Sequence, residues 1–487
     1  MIDLVLVSPC NKKKIYGALN STLAAIEPPL WLGLTAAFVR ERGFQVKVID
    51  AGAENLAPDE TADLIADYNP RLAGIIVSGT NPSASTMNMP GAGVILRLLK
   101  EKSPDTKTFL GGLHPSVLPE RTLRDEEVDF VCQGEGFHTI TKLLETLKSD
   151  TKAEDYKING LWYKKNGEVI SNPREDLIND LDMLPFVAWD LLPMDKYKAH
   201  NWHCFQDIDS RKPYAVIYTS LGCPYKCSFC CINSIFGKAG IRYRNPQKVI
   251  EEIDILVRNY GVKNIKILDE MFVLNEDHVM EICDLIIQRG YDLNIWAYAR
   301  IDTINEKLLK KMKQAGVSWL AFGIEAGSKK VRDGVAKGRF GRDAIFKSIK
   351  MTHDAGIHIG ANFIFGLPDD DLDTMQETKD LAIELNCEYS NFYVTMAYPG
   401  SQLYDDAIRQ NVKLPDSWLG FSQYSEETLP LPTKYLSSSS VLRFRDKAFE
   451  EYFGSAKFLK MLDDKFGTMA VEHVKEMLKV KMKRKFA

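Results

Sequence analysis

The chain opens with short apolar runs set between longer segments in which apolar residues recur every three or four positions. The runs "IDLVLVS" (2–8), "FQVKVID" (44–50), "AGIIVSG" (73–79), "TKTFLGG" (106–112) and "VDFVC" (128–132) read as buried parallel strands. Between them, residues 28–43, 59–69, 91–102 and 136–149 carry helical periodicity. Strands alternating with helices predict a doubly wound α/β domain over residues 1–150, with its ligand edge beyond the carboxyl ends of the strands.

Residues 151–205 read as a connector, with a hairpin in "GLWYKKNGEVIS" turning at Asn166-Gly167. A second alternation follows over 206–405, with candidate strands at 214–220, 264–270, 293–300, 318–325, 357–366 and 391–398. Six β/α units fit a partial barrel, whose chemistry lies on the loops after the strands. Residues 406–487 read as a helical segment: serine caps and an amphipathic helix in "SSSSVLRFRDKAFEEYF", then a second helix ending in cations. Those lysines and Arg484 are expected to face the helix dipole and solvent. The fold class is α/β: a flavodoxin-like doubly wound domain, a partial (β/α)6 barrel and C-terminal helices.

With 487 residues the chain is too long for one core. A net charge of −4 supplies no field for nucleic acid or anionic lipid, and no apolar run approaches a membrane span, so neither partner is expected. The N-terminus enters a strand pattern without a basic leader, which makes the cytoplasm the expected compartment. There a close group of thiols reads as a metal or redox site rather than a disulfide framework.

Such a group exists. Four of the nine cysteines lie in "CPYKCSFCC": Cys223, Cys227, Cys230 and Cys231. The first three form C-x3-C-x2-C directly after the first barrel strand. A structural zinc site takes four ligands, and Cys231 is a poor fourth beside Cys230. Three thiolates suit a 4Fe–4S cluster with one iron left open. The scattered cysteines read as small buried apolar residues.

The loop resembles the signature of the radical S-adenosylmethionine (SAM) superfamily, with Phe229 at its aromatic position. The resemblance implies that the open iron chelates SAM, and that an electron delivered by a flavodoxin or ferredoxin splits the sulfonium to a 5′-deoxyadenosyl radical. It also implies SAM contacts from Glu270, in "ILDEMF" where the family has Gly-Gly-Glu, and from Arg300, able to meet a carboxylate with both arms. Glu325 in "FGIEAGS" resembles the family's ribose-binding acid, and Gly366 in "NFIFGLP" would let backbone approach the adenine.

The stretches "PPLWLGLTAAFVRERGFQVKVIDA", "GGLHPSVLPE" and "VDFVCQGEG" resemble the cobalamin-binding domain placed before many such barrels. The whole chain resembles the cobalamin-dependent radical SAM enzymes. That likeness implies cobalamin near Ser78, Thr80, Gly111, Gly112, His114, Gly134 and Glu135. The family's histidine loop after the first strand is replaced by "SPCNKKKIYG", which has no histidine; His114 is then a lower-face contact at most. The implied activity is methylation of an unactivated carbon, or of phosphorus, in a small molecule entering near Trp202 and His203. A radical cyclase resembling the anaerobic Mg-protoporphyrin monomethyl ester cyclases is the alternative. An RNA methylthiotransferase and a non-catalytic cobalamin protein stand behind it. Nothing in the sequence names the substrate, the oligomeric state or the role of Cys231.

Overall fold

The computed structural model describes residues 2–10, 15, 24–79, 85–149, 156–338 and 340–487. Thr80 lies outside them. The first sheet contains β1 (Leu4–Ser8), β2 (Val46–Asp50), β3 (Leu72–Val77), β4 (Lys107–Gly112), β5 (Phe130–Cys132), β6 (Leu161–Lys165) and β7 (Glu168–Ser171). They lie in the order β2-β1-β3-β4-β5-β6-β7, with β1 to β5 parallel. Order 2-1-3-4-5 is the doubly wound arrangement with its switch point between β1 and β3. Every residue of β3 is buried, because helices cover both faces.

The hairpin expected in the connector forms, and Asn166 and Gly167 take φ of 52° and 82°, the left-handed pair such a turn requires. It is no spacer, however. β6 pairs antiparallel with β5, Cys132 opposite Leu161, so the hairpin widens the first sheet.

The barrel strands are β8 (Tyr214–Ile217), β11 (Asn264–Ile267), β12 (Asn294–Ala299), β13 (Val317–Glu325), β14 (His358–Phe365) and β15 (Tyr389–Val394). All six are parallel and neighbour one another in chain order, leaving the sheet open between β8 and β15. A two-stranded ribbon, β9 (Ser220–Leu221) with β10 (Arg242–Tyr243), brackets the cysteine loop. The helices around the barrel begin at Asn245, Asn275, Asn305 and Asp371, whose side chains accept from the first-turn amides.

One buried apolar cluster runs from one face of the first sheet through the barrel to the C-terminal helices, so the two domains share a core. The other face of the first sheet has its own cluster. Among the described residues no helix is long and apolar enough to cross a membrane.

Two expectations fail. Trp202 and His203 do not line a mouth. Both are buried at the opposite end: Trp202 packs on Trp296, Trp319 and Tyr389, and His203 Nε2 lies 3.0 Å from the Asn294 carbonyl at the start of β12. They plug the barrel floor, where aromatic area stabilises a closed end. Arg484 is neither helical nor solvated. The last helix ends at Lys479, and Arg484 turns back to fork Asp446 at 3.0 and 3.1 Å and to donate to the carbonyls of Gln423 and Ser425.

Candidate active site at the domain junction

The cysteine loop is shaped by backbone turns. Cys230 N–H donates to the Cys227 carbonyl at 3.0 Å, and Gly240 N–H to the Cys223 carbonyl at 3.0 Å. Asp269 anchors the start of the loop: its buried carboxylate accepts from Thr219 N, Thr219 Oγ1 and Ser220 Oγ at 2.7, 2.5 and 2.6 Å. Cys223, Cys227 and Cys230 are free and half-buried, whereas Cys231 is fully buried. Burial, reinforced by the other two thiols, pushes Cys230 up to about 12. A cationic body among them is what three thiolates need. Among the described residues no three His, Cys, Asp or Glu side chains converge as on one ion. Three cysteines in one loop suit a 4Fe–4S cluster with one iron left open better than a zinc site closed by four ligands.

Around this loop the strand ends place charge. Glu270 accepts Gly222 N–H at 3.2 Å, and burial lifts its carboxyl to about 7. Arg300 is already engaged: its fork grips Asp302 at 2.9 and 2.9 Å and its face lies 4.0 Å over the Tyr225 ring. The cation the sequence reading missed is Lys337. Its Nζ lies 2.7 Å from Glu325 Oε1, and both charges act on Cys227. Glu325 takes φ of 67°, a left-handed backbone at a non-glycine position that costs about 1–3 kcal/mol. Gly323, beside it, leaves room for the pair; a Cβ there would meet Lys337 Nζ at 2.6 Å. The signal for Lys337 was faint: one lysine after a short helix, far along the chain from the cysteines.

Phe229 is half-buried and packs against the small cluster of Ala326, Val331, Val335 and Leu367. Gly366 packs on the C-terminal helix. Its φ is 79°, and the place of its missing Cβ is filled by Val441 of the C-terminal helix.

The first domain's strand ends meet this loop directly. The short helix Leu113–Val117, after β4, abuts the helix Asn233–Phe236, which follows the cysteines. Ser234 Oγ donates to the Gly400 carbonyl at 2.6 Å, and Gly400 is wedged against Val117. Arg174 donates to the carbonyls of Ser234 and Ile235, capping the same helix.

Glu135 is not open to a ligand. Its carboxylate takes Arg242 Nη2 at 2.8 Å and Ile178 N–H at 2.9 Å, with the glutamate side chain 5% and the arginine 13% exposed. Gly134, at φ 86°, lies beside Ile235 and Arg174. His114 is closed in rather than solvent-facing. Its Nδ1 lies 3.1 Å from Thr86 Oγ1, its N–H donates to Ser85 Oγ at 3.2 Å, and Trp418 packs edge-on at 4.5 Å. Burial holds it neutral, with a pKa of about 3. Gly112 has φ of 109° and presses on the Val77 backbone; Gly111 sits against Ile76. Ser78 is half-buried at the edge, its carbonyl accepting from Asn88 Nδ2 at 2.8 Å. With no side chains, Gly111 and Gly112 let the β4 backbone pack closely on Ile76 and Val77 at this edge.

Two family models match the two halves of this junction: B12 binding domain over residues 16–144 and Radical SAM superfamily over 217–382. An uncharacterized methyltransferase of Pyrococcus horikoshii is 33% identical, with 94% of each chain covered. The chain belongs to the cobalamin-dependent radical SAM enzymes. An anaerobic magnesium-protoporphyrin IX monomethyl ester cyclase of Rubrivivax gelatinosus, another relative, is 27% identical over 80% of this chain and 68% of its own. The cobalamin-dependent radical SAM fold is also that of OxsB, solved with aqua-cobalamin and SAM (TM-score 0.71, 16% identity, covering 98% of this chain and 71% of that one). It is likewise that of TsrM from Kitasatospora setae, solved with cobalamin and a 4Fe–4S cluster (TM-score 0.66, 17% identity, covering 85% and 76%).

Proposed function

We propose that this enzyme is a methyltransferase that places a methyl group on an unactivated carbon, or on phosphorus, of a small molecule. The abutment of the helix after the cysteines on the strand-end helix of the B12-binding half carries the reading. It brings a radical source and a methyl carrier to one junction. When bound, the 4Fe–4S cluster with SAM supplies a carbon-centred radical, and cobalamin supplies the methyl group.

The residues divide that work. Cys223, Cys227 and Cys230 hold the cluster. Glu270 accepts from the SAM ammonium. Glu325 accepts from the ribose hydroxyls, and Lys337 attracts the SAM carboxylate at the face where Arg300 is paired to Asp302. Ser78, Gly111, Gly112 and Gly134 carry the cobalamin edge, while Glu135 holds that edge against the barrel. A flavodoxin or ferredoxin donates the electron, and nine free thiols suit a reducing cytoplasm.

The test is anaerobic reconstitution with iron, sulfide and hydroxocobalamin, followed by desalting and incubation with methyl-deuterated SAM and a reductant. Near-stoichiometric cobalt, 5′-deoxyadenosine and a deuterated methyl in a product support the proposal. Retained cobalt with a product of unchanged methyl count would instead support ring closure, the chemistry named for the cyclase relatives. Iron without cobalt overturns both.

A further inference from the structure

The chain returns to the first domain after the barrel is complete. Beyond β15 and the helix Gln402–Arg409, the turn Trp418–Phe421 lies against the turn Thr86–Asn88 of the first domain. Trp418 is the wedge. Its ring meets His114 edge-on at 4.5 Å, and the Arg121 guanidinium lies 4.3 Å from its centre. It also packs against the apolar clusters on both faces of the first sheet. A tryptophan held between an imidazole and a guanidinium contributes more than its buried area alone. His114 belongs to the short helix Leu113–Val117, which directly follows the two glycines of β4. Trp418 therefore bears on the first domain at the ends of its strands.

The segment that carries Trp418 is tied to the barrel. Its two limbs close on each other: Leu429 N–H donates to the Gly420 carbonyl at 3.1 Å, and Thr428 Oγ1 to the Ser422 carbonyl at 2.7 Å. Strand β15 ends its sheet, and the Gln423 carboxamide pairs with that edge as a neighbouring strand does. It accepts Val394 N–H at 2.9 Å and donates to the Val394 carbonyl at 3.0 Å. Behind this contact lie Arg445 and Arg484, with side chains 1% and 5% exposed, sharing Asp446. Their Nη2 atoms donate to the same Gln423 carbonyl at 2.7 and 3.1 Å. Arg484 Nη1 adds the Ser425 carbonyl at 3.0 Å and Thr428 Oγ1 at 2.9 Å, and Lys485 N–H the Glu426 carbonyl at 2.8 Å. Burying two guanidinium groups is unfavourable unless their donors are met, and one short segment meets them.

We infer that the C-terminal tail is a latch for the cobalamin side of the junction. Arg484 clamps residues 417–429, and Trp418 on that segment positions the His114 helix at the cobalamin edge. The inference rests on the assignment of that edge to cobalamin and gives the tail a part in it: the tail governs whether the methyl carrier is held, and leaves the cluster to the barrel.

Arg484→Ala, Arg484→Lys and Trp418→Ala are reconstituted with iron, sulfide and hydroxocobalamin, desalted, and compared with the wild type for cobalt and iron. Hydrogen–deuterium exchange is followed on the same proteins without cobalamin. The two alanine variants should retain about five-fold less cobalt, with iron held within about two-fold. Amide exchange should quicken about ten-fold in residues 85–88 and 113–117, while β11 to β14 keep their wild-type rates. Arg484→Lys, which keeps the charge without the fork, should fall between. Wild-type cobalt retention in both alanine variants overturns the inference. So does joint loss of iron and cobalt with faster exchange across the barrel strands, which would make the tail a general support of the fold. If the wild type itself retains no cobalt, the cobalamin reading fails and exchange decides the latch: quickening confined to 85–88 and 113–117 supports it, and unchanged exchange there overturns it.

Discussion

The cysteine loop and the strand ends of the first domain meet at one junction but are built by opposite means. The loop carries its chemistry in side chains at fixed spacing, held by turns and by the buried Asp269. In the proposed reading the first domain's edge works through backbone and small residues, and its Glu135 is used for attachment. A cluster needs particular ligand atoms, so side-chain identity there is constrained. A large flat cofactor needs shape, which many sequences can supply.

Breaking either side should therefore look different, and the largest effect belongs to the loop. Cys227→Ala should remove bound iron and lower 5′-deoxyadenosine formation by about a thousand-fold or more, on the scale expected when an essential group of a catalytic unit is lost. Cys231→Ala should keep its iron, since that thiol is fully buried whereas the other three are half-buried. Iron quantitation on both variants decides it; equal loss in the two would make Cys231 a ligand.

The next effect tests the attachment. Arg242→Ala leaves Glu135 buried without its partner, which should cost about 3–5 kcal/mol. Denaturant unfolding reads the stability. Cobalt retention should fall while iron retention holds, because the pair joins the first domain to β10 and touches no cysteine. Arg242→Ala with wild-type stability and cobalt would show that the shared core alone holds the halves together.

The same contrast explains what the sequence could tell. The strands of both domains were legible because buried parallel strands must be apolar throughout, as β3 is. The loop of three thiols stood out because spacing and residue type together are rare. The pairing of Glu135 with Arg242 was not legible, because an acid after a strand reads the same whether it meets a ligand or an arginine more than a hundred residues away. Lys337 was missed for the converse reason: only the barrel brings it to Glu325. Trp202 was placed at the mouth on chain position, yet the connector runs beneath the barrel, and its aromatic neighbours come from three separate strands.

A third effect falls on the first domain alone. His114 has a pKa of about 3 folded and near 6.5 when exposed, with burial the main cause and Arg121 adding to it. Between those values the unfolded chain binds a proton that the folded chain refuses. The stability this site confers is therefore complete above about pH 6.5 and is lost as pH falls toward 3. At pH 5 the loss is about 2 kcal/mol. His114→Gln should flatten that part of the stability profile between pH 7 and 5. An unaltered profile would mean that the ring is open to water rather than packed beneath Trp418.

The smallest effect separates ligand contact from packing on the barrel side. Gly366 looked like an adenine contact in the sequence, but its Cβ position is occupied by Val441 and its N–H donates to Asp370 at 3.0 Å. Gly366→Ala should cost about 1–3 kcal/mol, from overpacking against that helix and from a φ of 79° that alanine adopts poorly. Because the strain is directed at the C-terminal helix, the KM for SAM should stay within about two-fold, a change of under 0.5 kcal/mol in binding. Gly366→Ala combined with Val441→Ala should recover part of the overpacking, since the methyl then has somewhere to go. If the single variant instead raises KM for SAM at wild-type stability, the glycine faces the nucleoside and the C-terminal helix sits farther from the site than Val441 indicates.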